Sequence, residues 1–397
     1  MRSRSADYSF VWLVECQMPH DLSFLPRRID GNDSTIVGFR YFILCLLGLA
    51  CVACQPKGTS SVADNNASFS IDIQGDSTTI TIYSPWQKGE VMQQLLFNQA
   101  YERIVCTSAT HMGFISELGM MDKVVGVCRP ERVYNLSEEE RERITDIGDD
   151  MQPSMEQILL LNPDLVILYT YAQGDPIPAQ VEALGIPILY CNEWTETTPL
   201  ARAKWIRVFG AVFGCLPKAD SIYNAVSQAY NASVASHYTC NQQREAINVS
   251  NNEPHNANKV SIMSGMSWRG TWYVPAGGTF MGNLFRDAGA QYKYETNPAT
   301  SSIPLTMEQA IQDFAQADVW VGCEANSLKE LEAIDKKHTW FKAYQTKDVY
   351  NFRRRALPSG ANDFWESATV HPERVLQDIQ KVLEGDTTNL FYISPLK

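Results

Sequence analysis

From residue 104 onward the chain alternates short apolar runs with stretches in which apolar residues recur every three or four positions. The short runs are Ile104 to Thr107, Val124 to Cys128, Leu165 to Tyr169 and Ile188 to Cys191; amphipathic stretches begin near Met112, Ser137, Met155 and Pro178. Short runs with no polar alternation fit strands covered on both faces, and strands separated by helices build βαβ units with a mainly parallel sheet. Upstream, Ser70-Ile-Asp-Ile and Thr79-Ile-Thr-Ile alternate strictly around Gly75-Asp76, which predicts a small hairpin.

Leu200 to Phe213 and Lys218 to Tyr238 read as helices broken at Leu216-Pro217, the second long and polar enough to link two bodies. Positions 241–258 are rich in Asn, Gln and Glu and read as a surface loop. A second series then follows: a strand at Val260 to Met263, helices at Phe280 to Ala288 and Met307 to Phe314, a strand at Val319 to Val321, a helix near Leu328, a strand at Val349 to Phe352 and a helix from Pro372 to Leu383. The predicted class is α/β: two Rossmann-like lobes with parallel-type sheets joined by one long helix. The expected boundaries are an N-terminal lobe at 68–215, a connecting helix at 216–240, the polar loop at 241–258 and a C-terminal lobe at 259–397.

Length supports two lobes, since 397 residues, 45% of them apolar, exceed what one core usually organises. A net charge of −12 repels nucleic acid and anionic lipid, so no nucleic-acid partner is expected. Tyr41 to Cys54 forms an apolar stretch preceded by Arg40, too short to cross a bilayer of about 30 Å as a helix but suited to a secretory signal. Its end resembles a bacterial lipoprotein signal, which makes Cys54, after Val52-Ala53, the expected lipidated residue and Cys51, after Leu49-Ala50, the alternative. The segment 1–54 is then a leader, of which 1–36 fits a start site assigned too far upstream, and 55–67 is a flexible tether to a periplasmic domain that meets the membrane through its anchor only. Four of the ten cysteines fall in the leader. The rest show no CxxC pair or zinc spacing, so no metal site is expected and the thiols read as small buried apolar groups.

The two halves share sequence as well as pattern. Thr110-His-Met-Gly and Thr279-Phe-Met-Gly each open a first helix; Ser154-Met-Glu-Gln and Thr306-Met-Glu-Gln each open a later one; Asp164 in Asn162-Pro-Asp-Leu-Val-Ile and Asp318 in Gln316-Ala-Asp-Val-Trp-Val each introduce a strand. Over roughly residues 100 to 385 this order resembles the periplasmic binding proteins for ferric siderophores, haem and cobalamin. The resemblance implies a solute-binding protein that delivers a metal chelate to an ABC permease dimer with its ATPase subunits, with no catalytic residues and no cofactor beyond the cargo. It also implies that Glu156 and Glu308 dock onto the permease. Carboxylates in the first turns of equivalent helices would give a bipartite acidic handle, which steers encounter and register.

In a bilobed α/β protein the loops after the strands converge on the crevice between lobes. The ligand-binding candidates are Thr110, His111, Arg129 and Tyr171 from the first lobe and Trp268, Trp272, Tyr273, Arg353, Asp363 and Trp365 from the second. The segment from Ser267 to Tyr273 concentrates aromatics for a large organic-shelled ligand, and Asp363-Phe-Trp-Glu resembles a ligand-facing stretch of the cobalamin branch. Arginines suit carboxylates of a siderophore or of haem, and His111 is a candidate axial ligand if the cargo is haem. A hydrolase or other enzyme on an α/β scaffold is the alternative, although no P-loop or GxSxG elbow occurs. A protein for free zinc or manganese is another, against the absence of HxH or HxxxH spacing.

Overall fold

A computed structural model describes residues 68–250 and 259–397, without the side chains of 238–250. The expected leader, the tether, Cys51 and Cys54, and positions 251–258 of the expected loop lie outside the described residues. Among the described residues no helix is long and apolar enough to cross a membrane.

The predicted hairpin forms as β1 (Phe69–Gln74) and β2 (Ser77–Tyr83), and β3 (Val91–Phe97) joins it as a third antiparallel strand. Val-Met-Gln-Gln-Leu-Leu-Phe breaks period-two alternation, so the pattern alone did not predict β3. The N-terminal lobe follows as β4 (Ile104–Cys106), α1 (Ala109–Glu117), β5 (Val124–Val127), β6 (Thr145–Asp146), α2 (Met155–Leu161), β7 (Leu165–Leu168) and β8 (Ile188–Tyr190). Its five strands lie in the order β8-β7-β4-β5-β6, every pairing parallel. β4 and β7 are buried along their whole length, which explains their uninterrupted apolar sequences.

One long helix, α3 (Leu216–Ser250), leaves this lobe and crosses to the other. At about 1.5 Å per residue its 35 residues span about 52 Å. Lys218 Nζ donates to Leu118 O of the first lobe (2.8 Å), while Tyr230 donates to Asp287 (2.7 Å) and Ser233 to Gln380 (2.6 Å) of the second. The helix continues to Ser250, past the expected end at 240 and into the expected loop. Gln242-Gln-Arg-Glu-Ala are good helix formers, and extending an existing helix lacks the cost of nucleating one.

The C-terminal lobe contains β9 (Ser261–Ser264), α4 (Phe280–Asp287), β10 (Gln291–Tyr292), α5 (Met307–Phe314), β11 (Val319–Val321), β12 (Val349–Asn351), α6 (Pro372–Leu383) and β13 (Ser394–Pro395). Sheet order is β10-β9-β11-β12-β13, with only the last pairing antiparallel. A small antiparallel sheet of Ser267–Trp268, Thr271–Pro275 and Ser302–Leu305 is added to it. Its tight turn is Arg269-Gly270, both at positive φ, the geometry of a two-residue hairpin.

The repeated motifs occupy corresponding places, with one offset. Ser154 and Thr306 cap α2 and α5 and accept from the backbone N–H of Gln157 and Gln309. Asp164 Oδ2 accepts from Arg103 N (3.0 Å) ahead of β4, and Asp318 Oδ2 accepts from Ser261 N (2.9 Å) at the start of β9, so each Asp clips its strand to the neighbouring one. Thr279 caps α4, but α1 is capped by Ser108 and Thr110 sits inside its first turn. That pair therefore matches in sequence without matching in helical position.

Candidate functional site

A cleft between the lobes, holding about 700 Å³ of empty space counted out to open solvent, lies beyond the carboxyl ends of the first lobe's strands. The N-terminal lobe lines it with Thr107, Ala109 and Thr110 at the start of α1, with Cys128, Arg129 and Arg132 after β5, and with Asp150. Gly360, Asn362, Trp365 and Glu366 line it from the loop after β12.

Arg129 adopts a left-handed conformation (φ 49°); its backbone N–H donates to Asp146 (3.3 Å) and its guanidinium pairs with Asp149. The side chain of Arg132 reaches Gly360, where an added Cβ would collide with the guanidinium. Among the described residues Arg132 has no ion pair. Trp365 packs edge-on against Phe364 at 4.9 Å, and its buried Nε1 has no hydrogen-bond partner. Tyr169 donates to Asp150 (2.7 Å), and Tyr171 lies against Tyr169 with hydroxyls 2.9 Å apart.

The floor between the two walls is fastened. The Glu366 carboxylate is 1% exposed and accepts from the backbone N–H of Tyr134 and Asn135 and from Asn135 Nδ2 (3.0 Å), all in the other lobe. Burial pushes its pKa up to about 8 against the opposing pull of those N–H donors. A Cβ at Gly113 of α1 would collide with the Glu366 backbone, so glycine permits this approach. Beside it, His371 Nε2 is 3.1 Å from Glu117 of the first lobe and Nδ1 is 2.9 Å from Glu373. Burial alone would lower the His371 pKa, but the two carboxylates raise it to about 8.

Thr110, Arg129 and Trp365 are brought together by the cleft; the other seven candidates are not among the residues that line it. His111 is 1% exposed and turned into the N-terminal lobe, where Nε2 meets Glu193 at 3.0 Å, so the axial-ligand reading fails for want of access. Trp272 is wholly buried in the second core, against Trp320 (5.3 Å) and Phe341 (5.4 Å), with Nε1 donating to Ser264 O (3.0 Å). Trp268 and Tyr273 pack against the same core, and Arg269 stacks on Trp268 at 4.4 Å. The aromatic segment is thus mainly a core element, as strand alternation sends Trp272 inward. Arg353 lies 3.6 Å from Glu324, and Asp363 is held by Arg355 at 2.5 Å. Tyr171 meets Tyr169 through their hydroxyls, and Tyr169 in turn donates to Asp150 on the cleft wall. Arg132 and Glu366 are functional candidates outside the ten; a position in the loop after a strand was the signal for Arg132, and Glu366 closes the Asp363-Phe-Trp-Glu stretch whose resemblance already pointed to the ligand.

Glu156 and Glu308 stand exposed in the first turns of α2 and α5. Glu308 is 76% exposed and pairs with Lys337 at 3.1 Å.

The fold is similar to solved bilobed structures at low identity. A periplasmic haem-binding protein from Pseudomonas aeruginosa matches with a TM-score of 0.56 at 14% identity over 75% of this chain and 98% of that one. A component of an ABC-type Fe3+-hydroxamate transport system from Saccharomonospora viridis matches with a TM-score of 0.53 at 17% identity over 76% and 98%. Among curated sequences, an uncharacterized lipoprotein of Methanocaldococcus jannaschii is 23% identical over 246 residues, covering 62% of this chain and 53% of its own. A second lipoprotein of that organism is 24% identical over 58% of each. The chain therefore spans little more than half the length of these relatives. The model of the periplasmic binding protein family matches residues 104–356, well over half of the chain, including the N-terminal lobe's side of the cleft. The chain belongs to the periplasmic binding protein family.

Proposed function

We propose that this protein is the lipid-anchored solute-binding component of an ABC importer, that it captures a metal chelate in the cleft between its lobes, and that it delivers the chelate to the permease. The observation that carries this reading is the cleft itself. Arg129 and Arg132 line an opening between two fastened lobes together with Trp365. Guanidinium groups favour carboxylate-bearing ligands, and Trp365 adds an aromatic side chain to the wall. Glu366, being largely protonated at neutral pH, does little to offset the arginines.

Haem and ferric hydroxamate, named for two structural neighbours, are the leading cargo classes, with cobalamin as a third. The lipoprotein relatives support an anchor, for which Cys54 is the first choice and Cys51 the second. Glu156 and Glu308, exposed on equivalent helices of the two lobes, are the permease-docking residues of this reading. Native mass spectrometry against haem, ferric siderophores and cobalamin tests the cargo, with one chelate retained per chain as the expected result. The double variant Glu156→Ala with Glu308→Ala is expected to abolish uptake and leave chelate affinity unchanged; lost affinity would mean the pair had been misassigned.

A further inference from the structure

Behind the cleft floor, inside the N-terminal lobe, three different donor groups converge. His111 of α1 places Nε2 3.0 Å from Glu193 Oε2, and Cys191, just after β8, places Sγ 3.9 Å from the same oxygen. One ligand atom from each residue lies within 4.8 Å of the other two, and all three residues are at most 1% exposed. We propose that His111, Cys191 and Glu193 bind a resident divalent cation of the thiophilic, zinc-like class, at a site separate from the cargo cleft.

Nitrogen, sulfur and oxygen donors of this kind are the zinc set, with metal–ligand distances of roughly 2.0 to 2.3 Å that put neighbouring donors somewhat over 3 Å apart. The observed separations need only small side-chain adjustments to meet that requirement. Supporting contacts are already in place. Arg202 Nη2 holds Glu193 Oε1 at 3.1 Å, which leaves Oε2 turned toward the imidazole. Phe209 and Tyr169 flank the His111 ring at 6.0 and 6.1 Å and fix its plane. Outer contacts that orient ligands in this way are a regular part of metal sites.

A buried ion pair accounts for His111, Glu193 and Arg202, and Cys191 belongs to the lobe's apolar core; what the cation adds is a reason for its thiol to stand beside the Glu193 carboxylate. Binding would require the Cys191 thiol to release its proton to solvent and the imidazole nitrogen that meets the ion to carry none. The ion would tie the first turn of α1, which presents Thr110 to the cleft, to the turn after β8.

The site is independent of the cargo reading and is tested without cargo. Chelator-stripped full-chain protein is titrated with Co2+ and read for thiolate-to-cobalt charge-transfer absorption. One Co2+ per chain is expected, displaced by Zn2+, with the charge-transfer band absent in Cys191→Ser and intact in Cys323→Ser. Wild-type protein loaded with Zn2+ is also read by X-ray absorption at the zinc edge, which needs no variant to fold, and one sulfur in the first coordination shell is expected. A shell of nitrogen and oxygen alone, no thiolate band at saturating Co2+, or a band that survives Cys191→Ser overturns the proposal.

Discussion

Arg132 enters the cleft without a carboxylate partner among the described residues, whereas Arg129 beside it is held by Asp149. Removing a guanidinium that meets a ligand carboxylate costs about 1.5 to 3 kcal/mol, the scale of a charged hydrogen bond. Arg132→Ala is therefore expected to weaken binding of a carboxylate-bearing chelate by at least about tenfold, measured by calorimetry. Two neighbouring residues contribute to the response to pH in the same direction. His371 has a folded pKa raised to about 8 by Glu117 and Glu373, so its contribution is complete below its unfolded value near 6.5 and is lost as pH rises through 8. Glu366 acts in the same direction, since a carboxyl raised to about 8 in the fold must ionise at growing cost between its unfolded value near 4.5 and pH 8. The melting temperature is expected to fall between pH 6.5 and 8.5, with a loss from His371 on the order of 2 kcal/mol that His371→Gln removes from the pH profile.

Elements were legible where one physical cause dominated. Buried strands such as β4 and β7 announce themselves because both faces exclude polar side chains, and Ser154 and Thr306 mark helix starts because the first N–H groups need an acceptor. The prediction of a loop at 241–258 followed composition, whereas extending α3 depended on propensity and an existing nucleus. Site residues were harder to read: Trp272 and Trp365 are the same residue type in aromatic surroundings, and only the pairing of strands sends one to the core and leaves the other on the cleft. The duplicated Asp was read as a family mark, and its cause is the clip that ties β7 to β4 and β11 to β9. Asp318→Asn keeps one acceptor but loses the charge and its pairing with Lys342 at 2.6 Å. A loss of about 1 kcal/mol in denaturant unfolding is expected, with cargo affinity unchanged.

For the whole molecule, the seam between lobes is more than a hinge. The helix α3 bonds to both lobes, and Glu366, His371 and Asn283, which donates to Thr197 O at 2.8 Å, stitch the second lobe to the first. Large closure would have to break several of these buried contacts together, so small-angle scattering curves with and without bound chelate are expected to superpose. A wide change in radius of gyration would show that the seam opens. The contact of Gly113 with the Glu366 backbone has a further consequence. It works as a shim of zero thickness: each methyl group inserted there would wedge the lobes apart from behind the cleft. Gape could then be adjusted stepwise while every side chain that faces the cargo stays the same, which separates the size of the mouth from the chemistry of its walls.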